Sequence, residues 1–164
     1  VLISEVKKMR RKDREITDIS EITEIIKKCS VCRLALFDGQ YPYIVPLNFG
    51  CSLEKDSIVL YFHSANEGKK IELISKNNNV AFEMDTSHKL IISDKPCGCT
   101  MEYESVIGGG KIELVADDKQ KVFALDCIMK NYTDKADFTY DENLLKRMAI
   151  LKLTVNEITG KRLK

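Results

Sequence analysis

No run of about 18 apolar residues occurs in the 164-residue chain, which leaves no segment long enough for a membrane-spanning helix. Histidine is scarce, with only His63 and His88 present. They lack HxxxH spacing, so a zinc site would have to draw on cysteines, and no metal site is expected. There is no GxGxxG and no GxxxxGK[ST], and Gly108-Gly109-Gly110 is too weak to stand for either. The absence of a GxSxG elbow removes the serine-hydrolase reading. Six cysteines are too dilute for a disulfide-stapled scaffold. Cys29 and Cys32 have CxxC spacing, but they straddle a helix end and a strand start, opposite to the usual placement of a redox pair. Cys97 and Cys99 lie in a Pro/Gly loop with no second pair. The six therefore read as buried or free thiols, with Cys99 the one to watch.

An excess of one charge sign is also missing. The formal net charge is +1, so there is no bulk attraction to nucleic acid or to an anionic membrane. The average conceals a local segment. Lys7, Lys8, Arg10, Arg11, Lys12 and Arg14 face only Glu5 and Asp13. This opening reads as a solvated arm, a phosphate-contacting segment or a weak polyanion arm. No basic helix with interleaved aromatics follows it. The start, VLISEVKKMRRKDREITD, is not a signal peptide, because its apolar stretch is short and its charges follow that stretch. Cytoplasm is the expected location. Met9 opens the basic run, so 1–8 reads as an upstream segment and 9–164 as a single domain. A chain of this length with 44% hydrophobic residues can remove roughly 70% of its unfolded surface from water.

The pattern along the chain is that of an antiparallel β protein with flanking helices. Asp18 and Glu21 have capping-box spacing, and Ile22, Ile25 and Ile26 form one stripe, which predicts a helix over 19–29. VCRLALF (31–37) reads as a strand that ends at Asp38-Gly39. YPYIVPLNFGC (41–51) is the next strand, with Tyr43, Val45, Leu47 and Phe49 on one face and Ile44, Pro46 and Asn48 on the other. Pro46 has no N–H, so this strand is bulged or at an edge. A turn at 53–56 and a strand at 57–63 follow, then a helix over 66–76 and a strand over 78–85. Residues 86–100 read as irregular. A strand broken by three glycines spans 105–116, where a bulge or a close backbone approach is expected. A helix runs from Asp117 or Asp118 to about Asn131, a short one spans 141–148, and a last strand at 149–155 carries a charged tail. Short turns between strand pairs favour an antiparallel sheet or barrel over βαβ winding.

The strongest local chemistry lies in His63-Ser64-Ala65-Asn66-Glu67-Gly68-Lys69-Lys70. An imidazole and a hydroxyl end a strand, and a glycine and two lysines open a helix. The first N–H groups of a helix are unpaired and favour an anion. Lysine at a helix start opposes the helix dipole, and a bound anion relieves that. A solvated helix face is the plain alternative. Ser105 precedes the glycine-broken strand. Tyr41, Tyr43, Tyr61 and Phe62 read as core or interface aromatics, with stacking on a flat cofactor as a lesser option.

Taken in order, MRRKDREITD (9–18), RLAL (33–36), YPYIVPLNF (41–49), YFHSANEGKK (61–70) and YESVIGGGKIE (103–113) resemble the pyridoxamine-phosphate-oxidase-like flavoproteins, in the branch with nitroimidazole-resistance proteins. The resemblance spans about 9–155. It implies an FMN-binding split β-barrel and a homodimer with cofactor at the subunit interface. It implies that Val45, Pro46, Leu47 and Asn48 line the isoalloxazine, that His63 and Ser64 lie beside it, that Lys69 and Lys70 hold the phosphate, and that Ser105 approaches from the glycine-rich strand. Arg10, Arg11 and Arg14 belong to the branch's opening. Vitamin B6 oxidase activity is not implied, because YIVPLN stands where an arginine-rich RxxLLK strand would be and ITGKRLK carries no histidine. The expectation is an FMN-dependent oxidoreductase acting on a small molecule with a nicotinamide donor, with His63 placing or protonating substrate. The alternatives are a flavin- or haem-binding module without turnover, and a nucleic-acid accessory protein using the basic arm.

Overall fold

The computed structural model describes residues 10–54 and 57–164. The 1–8 segment, Met9 and part of the 53–56 turn lie outside the described residues. Among the described residues, eight strands, all antiparallel, form one sheet. They are β1 (Glu15–Ile16), β2 (Cys32–Asp38), β3 (Tyr41–Leu47), β4 (Gly50–Glu54), β5 (Ser57–Ala65), β6 (Asn79–Ile91), β7 (Thr100–Leu114) and β8 (Met148–Leu163). The order is β3-β2-β6-β7-β8-β5-β4, with β1 added beside β8. The helices are α1 (Ile19–Lys28), α2 (Lys69–Lys76), α3 (Asp118–Lys130) and α4 (Glu142–Arg147). This is the antiparallel split-barrel arrangement with flanking helices that the resemblance implied.

Local chemistry explains the elements that the sequence shows best. The Asp18 carboxylate accepts from the Glu21 N–H, capping α1. Ile22, Ile25 and Ile26 are fully buried. They join the β2 side chains Leu34 and Leu36, and Phe49, Leu60, Phe62, Phe82 and Met84, in the main core. Leu73 and Ile74 bring α2 into the same core. A second core lies on the other face of β5 and β8. There Ala124, Leu125 and Ile128 of α3 cover Val59, Tyr61 and Ile150. Asp117 caps α3 through the Gln120 N–H, and Asp141 caps α4.

Four expectations shift at their edges. The 41–51 strand divides at Asn48-Phe49 into β3 and β4. The helix expected from 66 begins at Lys69, because Gly68 adopts a positive φ of 110°. The first part of the 86–100 stretch is strand, with β6 running to Ile91 and β7 starting at Thr100. A register shift between Thr86 and Lys89, with Ser87 at φ 60°, hides the alternation. The charged tail after 155 continues β8 to Leu163, paired with β7. The glycine bulge is present. Gly109 opposes Glu157 and Gly110 opposes Val155, so β8 carries Asn156 as the extra residue.

Candidate functional site

β3 is an edge strand of the sheet, which accommodates Pro46 without losing a ladder bond. Tyr43, Val45 and Leu47 turn toward the core, whereas Ile44, Pro46 and Asn48 are exposed. Asn48 Nδ2 donates to the Ser30 carbonyl at 3.2 Å, and the Phe49 N–H donates to the Tyr132 hydroxyl at 3.0 Å. These bonds fix the step from β3 into β4. The stretch Val45–Asn48 is thus a held segment with one backbone edge free.

His63 and Ser64 end β5 opposite Ile150 and Ala149 of β8. His63 is exposed, and the Ser64 hydroxyl donates to the Ala65 carbonyl at 2.7 Å. Four residues on, α2 opens without a side-chain cap. The N–H groups of its first turn are therefore unpaired by the helix itself. Lys69 and Lys70 are its first two residues, but their environments differ. The Lys69 ammonium lies 2.5 Å from Asp38 Oδ2 and 4.8 Å from the centroid of the Tyr43 ring. Lys70 is half-buried, its pKa is lowered by that burial, and it forms no ion pair among the described residues. Of the pair, Lys70 has the greater electrostatic need of an anion.

Ser105 stands elsewhere. It pairs with Asp85 on β6 and Lys161 on β8. The β8 partners of His63 and Ser105 are Ile150 and Lys161, separated by roughly 36 Å of strand at about 3.3 Å per residue. One chain therefore collects Lys69, Asp38 and Tyr43 at one place and carries Ser105 at the far end of β8 from His63.

Three features escape sequence reading. Asp38 seemed only a turn residue, yet it holds Lys69. Arg33 bridges Glu83 and Asp85 at 2.8 and 2.5 Å, and His88 Nε2 lies 2.7 Å from Asp85. This network lies across β2 and β6, on the same outward row as Pro46 and Ile107. Glu104 is buried and accepts from Lys28, Ser87 and Arg162 at 2.8, 3.1 and 2.7 Å. Its signal was parity, since Glu104 shares the inward face of β7 with Val106. Burial pushes the Cys29 thiol up to about 12 and Cys51 up to about 11, and raises Cys32 and Cys127. Cys97 and Cys99 are exposed, and Cys99 Sγ contacts Ser93. No metal-binding group of three His, Cys, Asp or Glu occurs among the described residues, and no helix there is long and apolar enough to cross a membrane.

Comparison with known proteins extends this geometry. A family model described as pyridoxamine 5'-phosphate oxidase matches residues 18–162. A candidate 5-nitroimidazole antibiotic resistance protein from Bacteroides thetaiotaomicron VPI-5482 is 37% identical, with 90% of this chain and 86% of that one covered and a TM-score of 0.78. Flavocytochrome Anf3 from Azotobacter vinelandii is 16% identical over 96% of this chain and 72% of its own, with a TM-score of 0.80. An FAD- and haem-binding protein from Mycobacterium smegmatis is 15% identical over 92% of this chain and 74% of its own, with a TM-score of 0.79. At those identities the last two share the fold. No curated protein matches the chain.

Proposed function

This chain belongs to the pyridoxamine 5'-phosphate oxidase family, and from that premise we propose that it is an FMN-dependent oxidoreductase acting on a small molecule with electrons from a nicotinamide donor. The observation that carries the reading is the start of α2. An uncapped helix N-terminus beside a half-buried lysine with no ion pair among the described residues suits a phosphate monoester. The residues fit the cofactor. Lys70 and the first N–H groups of α2 hold the phosphate, with Lys69 exchanging Asp38 for it. The free edge of Val45–Asn48 and the outward Ser105 meet the flat ring. When bound, the flavin supplies hydride or electron transfer at N5, while the protein supplies orientation and electrostatics. His63, exposed at the end of β5, orients substrate and carries a proton at its free ring nitrogen.

The separation of His63 and Ser105 along β8 supports a homodimer in this reading. A single flavin meets both groups when Ser105 comes from one copy and His63 from its partner. The apolar side chains Phe37, Ile44 and Ile107 on β2, β3 and β7 are exposed, and a second copy would cover them.

The test begins with the absorbance spectrum of the purified protein and titration with FMN. Absence of flavin bands together with failure to bind added FMN would sink the reading. Lys70→Ala is expected to weaken FMN binding by about 10- to 100-fold, the value of one charge-assisted hydrogen bond of roughly 1.5–3 kcal/mol. Lys69→Ala is expected to cost less, because Asp38 already competes for that ammonium. Equal affinities for wild type and the Lys70 variant would remove the phosphate assignment. Anaerobic mixing with NADH or NADPH then reads turnover. A flavin that no donor reduces would leave a cofactor-binding module.

A further inference from the structure

The basic opening is still without a role, and the structure provides a partner for it. A 3-10 turn over Lys12–Arg14 leads into β1, where Glu15 pairs with Lys161 of β8. On the other side of β8, Lys161 pairs with Ser105 and Leu163 with Tyr103. Tyr103 and Ser105 alternate with the buried Glu104 and Val106, so both side chains face outward. The Lys161 ammonium lies 5.7 Å from the centroid of the Tyr103 ring, and Arg14 flanks the hydroxyl from the N-terminal turn.

The charges here do not cancel. Asp13 is taken by Arg11 in two hydrogen bonds of 2.8 and 2.6 Å. It lies 3.8 Å from Arg14 Nε, beyond hydrogen-bond reach. That Nε is buried and has no hydrogen-bond partner among the described residues, an arrangement that costs free energy unless something accepts from it. Glu104 and Glu21 are taken by Lys28 and Arg162. Asp18 caps α1, and Glu102 faces Lys89. Among the described residues, Glu15 and, at the longer distance, Asp13 are the side-chain carboxylates left against Arg14, Lys161 and Lys164. Two clefts adjoin this group, one of about 630 Å³ lined by Arg14 and one of about 400 Å³ lined by Tyr103; Leu163 and Lys164 line both, and Lys161 lines neither. Partial burial raises the Tyr103 phenol, but Lys161 and Arg14 outweigh it and bring the phenol below its ordinary value.

We propose that Tyr103, Arg14 and Lys161 form a recognition pocket for a small organic carboxylate, with Arg14 and Lys161 taking the oxygens and the Tyr103 ring offering a flat face. The chemistry favours a planar carboxylate over a phosphate. A guanidinium matches two coplanar oxygens, and an aromatic face suits a conjugated acid better than a tetrahedral anion. The pocket lies two residues along β7 from Ser105, about 7 Å of strand. If Ser105 meets the flavin, as proposed above, this pocket positions the substrate's anionic group beside it.

The probe is benzoate, added to the full-length protein labelled with 13C at tyrosine Cζ. The Tyr103 signal is identified by its absence in Tyr103→Phe. Benzoate is expected to move that signal saturably, with affinity reduced at least tenfold in both Arg14→Gln and Lys161→Gln. An unmoved Tyr103 signal, or wild-type affinity in either variant, would overturn the pocket. Inorganic phosphate binding more tightly than benzoate would overturn the carboxylate class. Flavin absorbance read on the same samples reports separately on the cofactor, so loss of the flavin reading shows as missing bands while the benzoate result stands by itself.

Discussion

Glu104→Ala is expected to lower the melting temperature by roughly 5–15 °C, measured by thermal unfolding at neutral pH. Glu104 is a carboxylate only 5% exposed, and its bonds from Lys28, Ser87 and Arg162 tie α1, the register shift of β6, and β8 to β7. Removing it leaves Arg162 with Glu21 alone and opens a hole at the end of the barrel. Truncating one partner of a buried charged network costs about 3–5 kcal/mol. Lys28 is half-exposed and finds water, so roughly 2–4 kcal/mol is the better figure here. A chain of this size loses about 2–4 °C per kcal/mol. Glu83→Ala, which breaks a pair exposed on both sides, should change stability by less than about 1 kcal/mol.

The same carboxylate sets a pH dependence. Burial by itself raises the Glu104 pKa, but Lys28, Arg162 and Ser87 overcome that and hold it at about 2, below its ordinary 4.5. The native state therefore binds this proton less readily than the unfolded chain does. The stabilisation is complete above about pH 4.5 and fades as the pH falls toward 2. Urea melts of wild type and Glu104→Gln should differ most at neutral pH and converge only as the pH approaches 2. A gap that stays constant across that range would show that charge is not what Glu104 contributes.

Glu104 also marks the limit of sequence reading. What was legible is local: the Asp18 cap, the Ile22–Ile25–Ile26 stripe, the alternation along Tyr43, Val45 and Leu47, and the Asp117 cap. Each depends on neighbours within about four residues, where spacing is geometry. The closing end of the β6–β7 hairpin, over 86–104, and the end of β8 were not legible. Their side chains are largely exposed, and a register shift interrupts the hairpin, so no apolar alternation announces them. The candidate site divides the same way. The uncapped start of α2 and its two lysines are visible in GKK. That Asp38 pairs with Lys69, and that Lys161 and Arg14 both act on Tyr103, follows only from tertiary packing. The family resemblance filled part of this gap, because ordered motifs carry tertiary information that periodicity lacks.

Gly108, Gly109 and Gly110 are identical as letters, and their alanine variants are expected to rank in an order that only the packing supplies. A Cβ at Gly110 would lie 2.1 Å from the Thr154 carbonyl oxygen and 3.0 Å from Leu153 Cδ1. Backbone of β8 would have to move at the bulge itself. A Cβ at Gly108 would meet the Phe82 ring at 2.5 Å and the Glu157 carbonyl oxygen at 2.7 Å. At Gly109 the nearest atom is Glu157 Oε1 at 3.2 Å, the far end of a flexible side chain. Overpacking costs typically 1–3 kcal/mol and more when backbone must shift. Gly110→Ala and Gly108→Ala should therefore each cost about 3 kcal/mol or more. Gly109→Ala should lie within about 1 kcal/mol of wild type, because alanine also lowers the entropy of the unfolded chain. Denaturant melts of the three variants decide this. Equal losses at all three would mean that conformational freedom, not close approach of β7 to β8, requires glycine here. In the expected order, the bulge is a packing device that bends the long β7–β8 ladder and sets the direction in which Tyr103 and Ser105 leave the barrel.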